Sequence, residues 1–125
     1  MQTFGTLMTF DCGKCNGLID NKQIIDDFIS KIVNGMNMKR IGEPTYEWFE
    51  DTPFNRENDL IGYSVTQIIS LSSITLHICS ISKSIFIDVF TCCKVNDITI
   101  DMITHNINIS FNPKTIIKKQ INRYV

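Results

Sequence analysis

The chain has 125 residues, 43% of them hydrophobic, with a formal net charge of -1 and a pI near 6.1. This length fits a single domain, 1–125, with apolar side chains enough for a core, and the balanced charge gives no footprint for nucleic acid or an anionic membrane. No apolar run approaches the ~18 residues that span a bilayer, and Met1 to Gly5 lacks the basic and apolar segments of a secretory signal.

Thr3 to Phe10 reads as a first strand, followed by a glycine-containing loop, 11–17. Asp20 or Asn21 can cap a helix in which Ile24, Ile25, Phe28, Ile32 and Val33 follow a 3.6-residue period, with Gly35 as its stop. Either 38–41 or 46–49 supplies a second strand, and the polar stretch 51–59, with Pro53, reads as a loop. Leu60 to Ser70 is a long strand. Asp97 can cap a second helix bearing Ile98, Met102, Ile103 and Ile107, and Pro113 separates it from a final strand over 115–124. The order β-α-β-β-β-β-α-β predicts an α+β two-layer sandwich, an antiparallel sheet with two helices on one face.

Five cysteines in a chain without an export signal are expected as reduced thiols in a cytoplasmic compartment. Cys12-Gly13-Lys14-Cys15 has the spacing of half a zinc site. Cys92-Cys93 lacks the matching spacing, and His77 and His105 are scattered, so loop cysteines and no metal are expected. Trp48 and Phe49 could stack on a purine, with core or dimer packing the plainer reading. Lys39-Arg40 reads as a solvated pair.

Residues 71–92 are the most informative stretch. Ser73, Thr75 and His77 alternate with Ile74, Leu76 and Ile78, the pattern of a half-buried strand. Ile85, Phe86, Ile87, Val89 and Phe90 form a second β-branched and aromatic run around Asp88. A hairpin centred on Ser82 sets Ser72 opposite Cys92, with Cβ atoms roughly 5 Å apart. Cys93 then points to the other face of the sheet.

These residues resemble the prokaryotic-type, pyruvoyl-dependent S-adenosylmethionine decarboxylases. The core motif of that family runs approximately Glu-Ser-His-Ile-Ser-Ile-His-Thr-Trp-Pro-Glu and, after a few residues, Asp-Val-Phe-Thr-Cys. Ser72 falls on the pyruvoyl-forming serine, His77 on the catalytic histidine, and Cys92 on the cysteine that ends Asp88-Val89-Phe90-Thr91-Cys92. Upstream, Gly62-Tyr63-Ser64 matches the family's Gly-x-Ser. The sequence departs from the motif at Leu71, which stands where the family has glutamate, at Ser73, which replaces histidine, and at Ile78-Cys79-Ser80-Ile81, which replaces Thr-Trp-Pro-Glu.

The resemblance implies self-cleavage between Leu71 and Ser72 into chains 1–71 and 72–125. The pyruvoyl group made from Ser72 would be the covalent cofactor and electron sink, forming a Schiff base with the substrate amine. His77 would remove a proton during processing, Ser64 would assist it, and Cys92 would return a proton to the carbanion after carbon dioxide leaves. Thiols are mostly protonated near neutral pH and can serve as acids. The expected substrate is S-adenosylmethionine and the product an aminopropyl donor for spermidine synthesis. Five residues of strand span roughly 17 Å, so Ser72 and His77 cannot meet within one chain. A homodimer with shared sites is therefore expected, Ser72 and Cys92 from one copy and Ser64 and His77 from the other. Two alternatives stay open: the same chemistry on ornithine or arginine, and a non-processed regulatory paralogue.

Overall fold

Alternating apolar and polar residues build the sheet, and two amphipathic stretches build the layer that covers it. The computed structural model describes residues 2–125. Its elements are β1 (Thr3–Gly13), α1 (Lys22–Gly35), β2 (Ile41–Phe49), α2 (Pro53–Glu57), β3 (Gly62–Ile69), β4 (Ser72–Cys79), β5 (Ser84–Thr91), α3 (Asp97–Phe111) and β6 (Thr115–Tyr124). The strands form one antiparallel sheet in the order β2-β3-β4-β5-β1-β6. The first strand in sequence thus lies inside the sheet, between β5 and β6.

One sheet face is covered by α1 and α3. Ile25, Phe28, Ile29, Ile32 and Val33 of α1 and Ile103, Ile107 and Phe111 of α3 are buried against Phe10, Ile74, Leu76, Ile85, Ile87 and Val89 of the sheet. Rings of Phe28 and Phe111 lie 5.0 Å apart and join the two helices. Each such buried side chain contributes about 1.5–3 kcal/mol, which makes this layer the main source of stability. The other face keeps alternate residues, among them Ser64, Ile68, His77 and Phe86. Ile68 and Phe86 there are 47% and 44% exposed, so apolar area lies open on it.

Several expectations are corrected. A third helix, α2, occupies part of the stretch read as loop. It buries no residue and is set by its ends instead: Thr52 Oγ1 accepts from Asn55 N, and Pro53 starts the first turn. The side chain of Asn21 caps α1, and Asn96 rather than Asp97 caps α3. Gly35 is the last helical residue of α1, not a left-handed stop. A Cβ there would lie 2.5 Å from Met102 Sδ, so its absence lets α1 and α3 approach. Of the two candidate second strands, 46–49 lies in β2 and 38–41 only meets its start at Ile41, and the register of β2 shifts between Ile41 and Thr45. Arg40 is not simply solvated. It pairs with Asp26 at 2.9 Å and donates to the Asp26 carbonyl.

The 72–92 hairpin is offset by one residue from the expected register. Cys79 pairs with Ser84 and Ser73 with Phe90, so four residues, 80–83, form the loop, with Lys83 at φ 55. Ser72 is therefore not opposed to Cys92 in the ladder. No helix among the described residues is long and apolar enough to cross a membrane.

Candidate active site

β3 and β4 are joined by a two-residue turn. Ile69 pairs with Ser72, which leaves only Ser70 and Leu71 between them. Ser70 is at φ 58, and Leu71 is not among the positive-φ residues. Those φ signs are the pattern of a type II′ turn, whose first central position favours glycine. Leu71 is 70% exposed, while Ser72, one residue later, is 4% exposed. The bond between them joins a solvated side chain to a buried hydroxyl.

The hydroxyl of Ser72 is held from the next strand. Cys92 N donates to Ser72 Oγ at 3.0 Å, and Ser72 Oγ donates to Cys92 Sγ at 3.5 Å. β5 ends at Thr91, and the chain bends at Cys92 and Cys93. That bend carries Cys92 back to Ser72 despite the offset register. Cys93 lies past the end of the strand and, with Cys92, lines one depression of about 620 Å3, lined also by Lys94, Gln120 and Asn122.

A second pair lies at the far end of β4. Ser64 and His77 are direct partners between β3 and β4, and Ser64 Oγ lies 2.8 Å from His77 Nδ1. The hydroxyl donates when Nδ1 is bare and accepts when Nδ1 carries the proton. Both residues border a cavity of about 210 Å3 walled by Phe49, Leu60, Ile61, Tyr63 and Cys79, with the Asp59 carboxylate on its wall. Backbone bonds fold the 59–61 segment over it: Leu60 N donates to Asn55 O at 2.8 Å, and Ser80 N to Ile61 O at 2.9 Å. Burial, together with the Asp59 carboxylate, pushes the Cys79 thiol above its ordinary value.

Ser72 and His77 are five residues apart on β4, roughly 17 Å of strand. Alternation also sets them on opposite faces, Ser72 with buried Ile74 and Leu76, His77 on the open side. One copy of the chain therefore carries two separated half-sites, Ser72–Cys92 and Ser64–His77. The described residues contain no cluster of three or more His, Cys, Asp or Glu that could hold a metal ion. All five cysteines are free. Asp59 and Cys79 carried no signal in the sequence, since they reach the cavity only when the segment before β3 folds over it. Phe49 lines that cavity, whereas Trp48 packs against Tyr63 at 4.7 Å between ring centroids.

This architecture, a helix-backed antiparallel sheet, is that of a solved enzyme. The adenosylmethionine decarboxylase from Aquifex aeolicus VF5 matches over 100% of this chain and 94% of its own, with TM-score 0.76 and 20% identity. The family model for S-adenosylmethionine decarboxylase matches residues 6–124, and the chain belongs to that enzyme family. No curated protein matches it in sequence.

Proposed function

We propose that this chain cleaves itself between Leu71 and Ser72 and that the processed protein decarboxylates S-adenosylmethionine, giving an aminopropyl donor for spermidine synthesis. The observation that carries this reading is the Ser72 hydroxyl, buried beside an exposed two-residue turn and fixed by both the N–H and the thiol of Cys92. In the first step Ser72 Oγ attacks the Leu71 carbonyl. The carbon–nitrogen bond breaks, nitrogen takes the hydroxyl proton, and an ester joins the two segments. A base then removes the α-proton of residue 72, which expels the Leu71 carboxylate. Hydrolysis releases ammonia and leaves a ketone at the new amino terminus of 72–125.

The serine needed to make the pyruvoyl group is present, held at its hydroxyl and next to an exposed residue, so the chain fits that group. Once made, it supplies the electron sink for the carbanion that loss of carbon dioxide creates. The remaining work falls to side chains. Cys92 is within reach of residue 72 and is placed to return a proton to the substrate α-carbon. Ser64 orients the His77 ring through Nδ1, and in the tautomer in which Nδ1–H donates to Ser64 Oγ, Nε2 is bare and can take a proton. Because His77 lies far from Ser72 of its own chain, a second copy supplies it. The exposed Ile68 and Phe86 on the open face support a homodimer that buries them. The free thiols fit a reducing compartment such as the cytoplasm.

Intact mass and denaturing electrophoresis test this directly. Two fragments, with a carbonyl on the second that reacts with hydrazines, are expected. A lasting 14.3 kDa chain without a carbonyl rejects it and leaves the unprocessed regulatory reading.

One observation favours a second substrate reading. Cys79, within the segment that departs from the family motif, shapes the cavity beside His77, and Asp59 adds a carboxylate to its wall. A carboxylate there complements the cationic side chain of ornithine or arginine. Carbon dioxide release from each labelled amino acid separates the two.

A further inference from the structure

We propose that the junction of three loops at the β4–β5 turn is a binding site for a small phosphate-bearing polyanion. Lys14, from the loop after β1, Lys83, from the β4–β5 turn, and Lys114, from the loop before β6, line one depression of about 390 Å3 together with Asn16 and Ser82. No carboxylate lines it. The ion pairs among the described residues are Arg40–Asp26 and Arg56–Asp51, so none of the three ammonium groups is neutralised by a side chain. Three of the 12 lysines and arginines thus line one depression in a chain of net charge -1. Like charges held together are unfavourable unless an anion joins them.

Two further features separate this group from an ordinary solvated patch. The loops are locked to one another by the main chain: Cys15 N donates to Lys83 O at 2.8 Å, Lys114 N to Gly13 O at 3.0 Å, and Asn16 N to Phe111 O at 3.1 Å. The lysine backbones are therefore preorganised. Lys14 and Lys83 also sit at φ 51 and φ 55, left-handed positions where glycine or asparagine is the cheaper residue. Lysine at two such positions, both lining one depression, points to a use for the ammonium groups, of which that of Lys83 donates to Gly17 O at 3.4 Å. Hydroxyl and amide groups from Ser82 and Asn16 add hydrogen-bonding partners suited to phosphate oxygens.

The site shares no lining residue with either half-site, so this inference does not depend on self-cleavage. Calorimetric titration of the full chain with inorganic pyrophosphate, at fixed ionic strength set with sodium chloride, tests it. One saturable site per chain is expected, weakened at least tenfold in Lys14→Gln/Lys83→Gln/Lys114→Gln. Arginine at the same three positions should retain binding, which separates lost charge from a damaged fold. Lys31→Gln/Lys39→Gln/Lys118→Gln, with the same change in net charge elsewhere, should also retain it. Absence of a saturable signal, or equal loss in the second triple variant, overturns the proposal. Tighter binding of a single-stranded oligoribonucleotide than of pyrophosphate overturns the small-ligand assignment.

Discussion

Ser64 Oγ meets His77 Nδ1 at 2.8 Å across the β3–β4 ladder, at the opposite end of β4 from Ser72. In the proposed reading, this pair and the Ser72–Cys92 pair complete one site when two copies meet. Each of Ser72→Ala and His77→Ala alone should therefore lack decarboxylase activity. Co-expression of the two should restore a fraction, because one mixed site per dimer then holds intact Ser72, Cys92, Ser64 and His77. Activity of co-expressed, co-purified protein is the measurement. No restoration, with mixed dimers shown by mass spectrometry, refutes the shared site.

Removing the Ser64 hydroxyl leaves the His77 ring without its orienting partner. Ser64→Ala should slow appearance of the two fragments about 10- to 100-fold, below the full ~100- to 10,000-fold contribution of a positioned acid or base. The cleavage half-time after rapid purification gives the figure. Unchanged cleavage would separate Ser64 from processing.

Gly62 sits at φ 148, and a Cβ there would lie 1.7 Å from Ile78 O. That contact is to backbone of the neighbouring strand, which cannot swing away. Backbone strain of about 1–3 kcal/mol and a comparable overpacking cost apply together. Gly62→Ala should lose about 2–6 kcal/mol in urea unfolding, measured in a Ser72→Ala background to keep the chain whole. A loss under ~1 kcal/mol would show that the β3–β4 ladder yields easily.

Ser70 tests the turn in the opposite direction. Relief of its left-handed φ by glycine is worth about 1–2 kcal/mol. The extra freedom of glycine in the unfolded chain takes back about 0.5–1 kcal/mol. Ser70→Gly should thus stabilise the Ser72→Ala chain by about 0.5–1 kcal/mol, and a net destabilisation would mean that the serine side chain has a role of its own.

Burial pushes the thiol of Cys12 from 9.0 up to about 12 and that of Cys15 up to about 11. Above pH 9 the unfolded chain loses these protons while the folded chain keeps them. The folded state then binds more protons, and stability falls as pH rises. Tyr46, also raised by burial, acts in the same direction from about pH 10. Urea midpoints in reducing buffer should drop from pH 9 to 11, and a Cys12→Ala/Cys15→Ala chain should show a shallower slope.

Strands were legible where apolar and polar residues alternate, as in 72–79, whereas 115–124 was placed by its position after Pro113. The hairpin offset was not, because Ser80 to Ser84 is polar apart from Ile81 and nothing in it distinguishes a four-residue from a five-residue loop. α2 was hidden for a different reason: with no buried residue it has no periodic apolar face. At the site, the nearness of Ser72 and Cys92 followed from the hairpin, and the bend after Thr91 compensates for the register. The direct bond between Ser64 and His77 needed the β3–β4 register, which a two-residue turn fixes and composition does not.

Strand order has a consequence for what happens after a break at the 70–71 turn. The amino-terminal piece would own β1, β2 and β3, and the carboxy-terminal piece β4, β5 and β6, yet β1 is sandwiched between β5 and β6. Three ladders, β3 with β4, β5 with β1 and β1 with β6, would bridge the two pieces, as would the packing of α1 on α3. Severing the covalent thread would leave an interlocked heterodimer that must unfold to come apart, and only the two fresh ends would gain freedom to move.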